Sequence, residues 1–95
     1  MKLSIIIVSY NVKDYLKQCI RSIYRSDLDV NLFEIIIIDN DSHDGTVKEI
    51  KANFNALIIK ENKKNYGFSK AVNIGLKIAS NIIFFDIFDF PTVLS

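Results

Sequence analysis

A run of four isoleucines that leads directly into a polar, acidic stretch constrains this chain more than any other feature. Residues 35–38 are all isoleucine, which is typical of a strand buried on both faces of a parallel sheet. From Val47 the apolar residues are spaced three apart, which indicates a helix. Between the strand and the helix stand Asp39, Asn40, Asp41, Ser42 and Asp44.

This polar turn admits two interpretations. Asp, Asn and Ser favour turns and helix N-termini, so the cluster could serve capping alone. In open α/β sheets, however, ligands bind beyond the carboxyl ends of the strands. Side-chain acceptors at that edge can hold a nucleotide base, a ribose or a metal ion. Taken alone, the stretch does not decide between the two.

Strand and helix patterns alternate along the whole chain. Strands are predicted at residues 3–8, 33–38, 56–60 and 82–85, and helices from Val12, over residues 44–53 and from Gly67. Asn11 is the predicted N-cap of the first helix. Glycine at position 75, inside the third helix, predicts close packing against a neighbouring element. Such alternation predicts an α/β fold, with a Rossmann-like parallel sheet covered by helices.

Composition limits the possible functions. The 95 residues carry twelve Lys and Arg against eleven Asp and Glu, which gives a net charge of +1 and no indication of a nucleic-acid partner. The single cysteine, Cys19, lies on the apolar stripe of the first helix and is predicted to be a core residue. No secretory signal or membrane span is recognisable, so a cytoplasmic chain is predicted, and association with the inner face of the membrane stays open.

Polar segments follow each of the predicted strands. They cover residues 9–11, 39–44, 65–73 and 86–89, and parallel strands bring their carboxyl ends to one edge of a sheet. Four separate segments at one edge favour a nucleotide site over capping alone. No G-x-G-x-x-G or P-loop pattern is present, so the polar clusters fit a sugar-nucleotide binder better than a dinucleotide or ATP site.

Three segments resemble the inverting family 2 glycosyltransferases of GT-A fold, especially the rhamnosyltransferase-like branch. They are residues 4–11 (SIIIVSYN), 38–46 (IDNDSHDGT) and 65–75 (NYGFSKAVNIG), in the family's order and spacing. The resemblance implies the N-terminal half of a GT-A fold and a donor site for a nucleotide-diphosphate sugar of UDP or dTDP type. The implied nucleotide-binding residues are Ser9, Tyr10, Asn11, Asp39, Asn40, Ser42, Asn65, Gly67, Phe68, Ala71 and Asn73. Tyr10 is equally compatible with a place in the core.

The resemblance also implies a metal site after the fourth strand. In the family an Asp-x-Asp or Asn-Pro-Asp motif there binds Mg²⁺ or Mn²⁺ on the diphosphate. This chain has Asp86 and Asp89, one residue wider apart than Asp-x-Asp, and Pro91 at the position that alignment on the following Thr-Val-Leu-Ser gives to the metal-binding Asp. Asp89 is the first candidate ligand and Asp86 the second.

No residue of the chain matches the family's catalytic base. Residues 1–95 are therefore expected to be the donor-binding part of a glycosyltransferase domain that is truncated at its C-terminus, with the acceptor saccharide bound by the missing half. Such a chain is expected to bind donor without transferring sugar. Residues 82–90 form an apolar edge strand, through which self-association as a dimer is predicted. Two other functions stay open: a non-catalytic remnant or interaction module of the same half-fold, and, more distantly, a response-regulator-like receiver.

Overall fold

The computed structural model describes residues 3–79 and the backbone of residues 84–87. Strands and helices alternate along it, as the sequence predicts. Their bounds are β1 Leu3–Ser9, α1 Lys13–Tyr24, a 3₁₀ turn Val30–Leu32, β2 Phe33–Asp39, α2 Thr46–Asn53, β3 Leu57–Glu61, α3 Phe68–Ile78 and β4 Phe84–Ile87.

The four strands form one sheet in the order β3-β2-β1-β4, and every pair is parallel. The prediction of an α/β, Rossmann-like parallel sheet is confirmed. Ser9 lies opposite Asp39, and Asp39 lies opposite Glu61, so three strand ends meet at the same edge. This register decides which of the loops that follow β1, β2 and β3 can contact one another.

The isoleucine run is buried on both faces of the sheet, which is why it does not alternate with polar residues. One face packs Ile35 and Ile37 against Leu16 and Cys19 of α1 and Ile50 of α2. The other face packs Ile6, Val8, Ile36 and Ile38 against Ala71 of α3. Each fully buried side chain of this size contributes about 2 kcal/mol to folding, so the central strands supply a large share of the core's stability.

Two packing predictions are confirmed. Cys19 is 2% exposed, and burial raises the pKa of its thiol to about 11. A Cβ at Gly75 would lie 2.6 Å from Cγ2 of Ile6 and 3.4 Å from Cγ1 of Ile38. Glycine therefore lets α3 approach β1 and β2 more closely than alanine would allow.

The prediction that Asn11 caps α1 is wrong. The helix begins at Lys13, Val12 occupies the N-cap position and no side chain of α1 caps it locally. Asn11 has a φ of 51°, in the left-handed region, which points its backbone and side chain toward the loop after β2. The cap comes from that loop, where Oδ2 of Asp44 accepts a hydrogen bond from the Lys13 N–H at 3.2 Å.

Element boundaries differ from the sequence prediction by a few residues. The second helix begins at Thr46 rather than at 44, since Gly45 has a φ of 81° and ends the turn. The fourth strand covers Phe84–Ile87; residues 82 and 83, where the prediction began it, lie outside the described residues. Within the described part of the chain, none of the helices has the length and apolar character needed to cross a membrane.

Candidate functional site

A buried carboxylate at the end of β2 organises the polar edge of the sheet. Asp39 is 2% exposed, and its Oδ1 accepts hydrogen bonds from the hydroxyls of Ser9 at 2.8 Å and Ser42 at 2.7 Å. The Ser42 N–H donates to Oδ2 at 2.9 Å. A carboxylate offers about four acceptor positions, so three protein donors leave roughly one acceptor position, on Oδ2.

The loops after β1 and β2 are tied to each other through Asn11. Its N–H donates to Oγ of Ser42 at 2.9 Å, and its Oδ1 accepts the His43 N–H at 2.8 Å. Asn11 and Asp41 both have left-handed backbone, with φ of 51° and 66°, which Asn and Asp tolerate better than other non-glycine residues. The Ser42 hydroxyl thus accepts one hydrogen bond from Asn11 and donates one to Asp39.

A second polar network links the ends of β2 and β3 to the start of α3. Asn40 is 2% exposed; its Oδ1 accepts from Nδ2 of Asn62 at 2.8 Å, and its Nδ2 donates to the Gly67 carbonyl at 3.2 Å. The Asn62 N–H donates to the Asp39 carbonyl at 2.8 Å. Both ends of the Asn40 amide are therefore bound to protein groups.

The segment before α3 is shaped by Asn65 and Gly67. Oδ1 of Asn65 accepts the Gly67 N–H at 2.8 Å, and Gly67 has a φ of 83°, in the region that favours glycine. The helix then begins at Phe68, and the Ala71 N–H donates to the Gly67 carbonyl at 3.3 Å. This geometry fixes the helix N-terminus beside the edge of the sheet.

Asp44 joins the starts of two helices. Besides Lys13 of α1, it accepts from the backbone N–H of Thr46 in α2 at 3.1 Å and from the Thr46 hydroxyl. Burial acts to raise the pKa of this carboxyl, but these hydrogen bonds outweigh it and hold the pKa below its ordinary value. Asp44 therefore holds the acidic loop in place as an ionised cap.

The residues implied by the family resemblance fall into groups with different environments. Direct hydrogen bonds bring together Ser9, Asn11, Asp39 and Ser42, and a separate set joins Asn40, Gly67 and Asn65. Tyr10 is 46% exposed, so it is not a core residue, and Phe68 is 40% exposed. Asn73 is exposed on α3, whereas Ala71 is fully buried against the sheet.

Only one of the two metal candidates, Asp86, lies within the described part of the chain. The backbone of Asp86 is within β4, opposite Ile6, which is three residues before Ser9 and therefore roughly 10 Å short of the strand end. Asp89 lies outside the described residues. Within residues 3–79, no group of three or more His, Cys, Asp or Glu side chains could hold a metal ion.

One residue of the site was missed by sequence reasoning. The connection 61–65 reads as a solvated polar loop, yet Asn62 is only 6% exposed and bonds both Asn40 and the β2 backbone. The pairing of the strands could have revealed this. Because β3 pairs in parallel with β2 and Glu61 lies opposite Asp39, the next residues, Asn62 and Asn40, must lie side by side.

This chain is similar to parts of much longer proteins. A dolichol-phosphate mannosyltransferase from Pyrococcus furiosus is 33% identical over 87 residues, 88% of this chain and 24% of that protein. The crystal structure of Staphylococcus aureus TarS 1–349 in complex with UDP matches this chain with a TM-score of 0.84 at 26% identity. The match covers 93% of this chain and 27% of the TarS chain. This chain thus spans about a quarter of the length of these relatives.

A further solved structure shares the fold. The mannosyltransferase PcManGT from Pyrobaculum calidifontis, in complex with GDP-Man and Mn²⁺, has a TM-score of 0.72 at 24% identity, over 83% of this chain and 24% of that chain. These neighbours are GT-A glycosyltransferases, so the expected GT-A half-fold is confirmed. The sequence profile of Glycosyl transferase family 2 matches residues 4–86. The chain belongs to Glycosyl transferase family 2.

Proposed function

We propose that residues 1–95 form the donor-binding part of an inverting glycosyltransferase that uses a nucleotide-diphosphate sugar of UDP or dTDP type. The observation that carries this proposal is the buried Asp39 carboxylate at the carboxyl edge of a parallel sheet, held by Ser9 and Ser42 with acceptor capacity left on Oδ2. Uracil and thymine present an imide N–H, which is a suitable donor for such an acceptor.

The surroundings of Asp39 support a pyrimidine nucleotide. Tyr10 follows Ser9 directly and is 46% exposed, which leaves its ring available for stacking on a base. Asn11 is exposed in the loop that is bonded to Ser42, and we assign it to the ribose. Base and ribose recognition are thus assigned to two adjoining loops.

The start of α3 is assigned to the same pocket. Asn65 and Gly67 fix the helix N-terminus, and Phe68 is 40% exposed there. Backbone N–H groups at a helix N-terminus favour phosphate, so this end suits a diphosphate. Asn73 is assigned a place on the pocket's rim, and the buried Ala71 and Asn40 act by packing and by holding Gly67.

We assign a divalent cation, Mg²⁺ or Mn²⁺, to Asp89 as the first candidate ligand, with Asp86 as the second candidate. When bound, such an ion neutralises charge on the leaving diphosphate. The support for this assignment is the family resemblance. If Asp89→Ala leaves the Mn²⁺ dependence of nucleotide binding unchanged, Asp89 is not the ligand.

Sugar transfer is assigned to parts of the protein beyond the donor site. An inverting transfer needs a general base and an acceptor platform together with the donor, and no residue here matches the family's base. The purified chain is expected to bind donor without turnover, and any transfer by it would refute this. We place the activity in the cytoplasm, including the inner face of the membrane, which cell fractionation tests.

The first experiment is a calorimetric titration of the chain with UDP and with dTDP, each with and without Mn²⁺. Asp39→Asn removes acceptor capacity and is expected to weaken binding about tenfold, whereas Asp41→Asn, a matched change two residues away, is expected to leave it within about twofold. Equal loss in both variants would contradict the assigned role of Asp39. No binding to the wild-type chain would favour the non-catalytic remnant or interaction module.

A further inference from the structure

A groove beside the proposed donor residues lies between the end of β3 and α3, and it meets the site only at Asn62. Its volume is about 400 Å³, within the range of small-molecule sites. One wall carries Lys60, Asn62 and Lys63. The other carries Tyr66, just before α3, and Lys70 and Ile74, which are four residues apart on α3. None of these side chains belongs to the residues assigned to nucleotide binding.

The groove is electropositive because its one acidic lining residue is paired elsewhere. Residues 60 and 61 point to opposite faces of β3, and Oε2 of Glu61 lies 3.3 Å from Nζ of Lys51 in α2, which covers the other face of the sheet. Among the described residues, no carboxylate lies within ion-pair distance of Lys60, Lys63 or Lys70. Three cations thus line a concave surface on a chain whose net charge is only +1.

Tyr66 holds part of this charge in position. The ammonium of Lys70 lies 4.5 Å from the ring centroid and that of Lys64 lies 5.3 Å from it, both within cation–π range. The half-buried ring and Ile74 add an apolar surface beside the cations. An aromatic and aliphatic wall next to several ammonium groups suits a ligand that is anionic at one end and less polar at the other.

We propose that this groove binds the phosphate group of a soluble phosphorylated small molecule, with the organic part of the ligand against Tyr66 and Ile74. Lysine is a compact point charge that binds phosphate oxygens by charge-assisted hydrogen bonds. The cations stand on two walls of a cavity rather than on one flat face, which fits a small anion better than a membrane surface. This site does not depend on the donor site proposed above.

The test is a metal-free titration of the full chain with inorganic pyrophosphate, followed by backbone amide NMR. We expect shifts at Lys60, Lys63, Tyr66 and Lys70, and about a tenfold weaker affinity in Lys60→Gln/Lys70→Gln. The control Arg25→Gln/Lys48→Gln removes the same charge from exposed positions outside the groove and is expected to stay within about twofold of wild type.

Four results would overturn the proposal. The first is an absence of saturable pyrophosphate binding, and the second is an equal loss of affinity in the control, which would indicate bulk charge alone. The third is a set of shifts confined to residues 9–11, 39–44 and 67–68, which would assign the anion to the donor site. The fourth is binding to phosphatidylglycerol vesicles without binding to pyrophosphate, which would indicate a membrane contact instead.

Discussion

Replacing Asn40 with alanine tests whether its buried amide holds the loop before α3. The substitution removes two hydrogen bonds, from Asn62 at 2.8 Å and to the Gly67 carbonyl at 3.2 Å, each contributing about 1 kcal/mol to stability. It also leaves the Asn62 amide, 6% exposed, without this partner, at a further cost of roughly 1 kcal/mol. We therefore expect Asn40→Ala to lower the free energy of unfolding by about 3 kcal/mol.

A double-mutant cycle with Asn62→Ala isolates the pair from the rest of the change. When both amides are absent, neither is left unpaired, so the double variant should be more stable than the sum of the single changes predicts by about 1–2 kcal/mol. Urea denaturation followed by circular dichroism measures all four proteins, and the exposed Asn55→Ala should change stability by less than about 0.5 kcal/mol. Additive single effects, or an Asn40→Ala variant as stable as the Asn55 control, would refute the reasoning.

Four further predictions concern other parts of the molecule. Gly75→Ala places a Cβ 2.6 Å from Cγ2 of Ile6, so overpacking should outweigh the gain in helix propensity. The free energy of unfolding should fall by about 1 kcal/mol in urea denaturation, and a more stable variant would contradict this. Tyr10→Ala should weaken UDP binding about tenfold in calorimetry with no change in Tm, because the side chain is 46% exposed; a lowered Tm would indicate a packing role instead. Because the pKa of Asp44 is depressed in the folded chain, its contribution to stability is complete above about pH 4 and is lost as the pH falls through the lower folded pKa. Asp44→Asn should therefore reduce the loss of unfolding free energy at acid pH, and curves of unfolding free energy against pH that run parallel for the variant and the wild type would count against it. Among the described strands β4 is paired only with β1, so light scattering at tens of micromolar should give a dimer mass, and a monomer mass would exclude self-association through residues 82–90.

The sheet could be predicted from the sequence because its signals are local. An uninterrupted run such as residues 35–38 is explained by burial on both faces, and this already implies a parallel strand with helices on each side. The close packing of α3 at Gly75 could be predicted in the same way, since glycine inside a helix costs stability unless close packing offsets it. The strand ends then had to meet at one edge, which located the polar loops.

The hydrogen bonds within that edge could not be predicted, because they join residues far apart in the chain. Asn11 is a good N-cap by type, yet its partners are Ser42 and His43, 31 and 32 positions away. Asn62 looked solvated because nothing in its own segment requires burial, and its partner is 22 positions away. Residue type gives the capacity to form a hydrogen bond, whereas the register of the sheet decides with which residue it forms.

The same hydrogen bonds divide the polar residues of the edge into two physical classes. Both ends of the Asn40 amide and both oxygens of the Asp44 carboxylate bond protein groups, and neither residue is assigned a ligand contact, so substitutions there should act first on stability and on binding only through the loops they hold. Tyr10 has an exposed ring, so its substitution should act on ligand affinity at constant stability. Asp39 belongs to both classes in the proposed function, since three of its acceptor positions hold the loops and the remaining one is assigned to the nucleotide. Affinity and stability should therefore fall together at Asp39 and separately at the other three, a pattern that a purely structural edge would not produce.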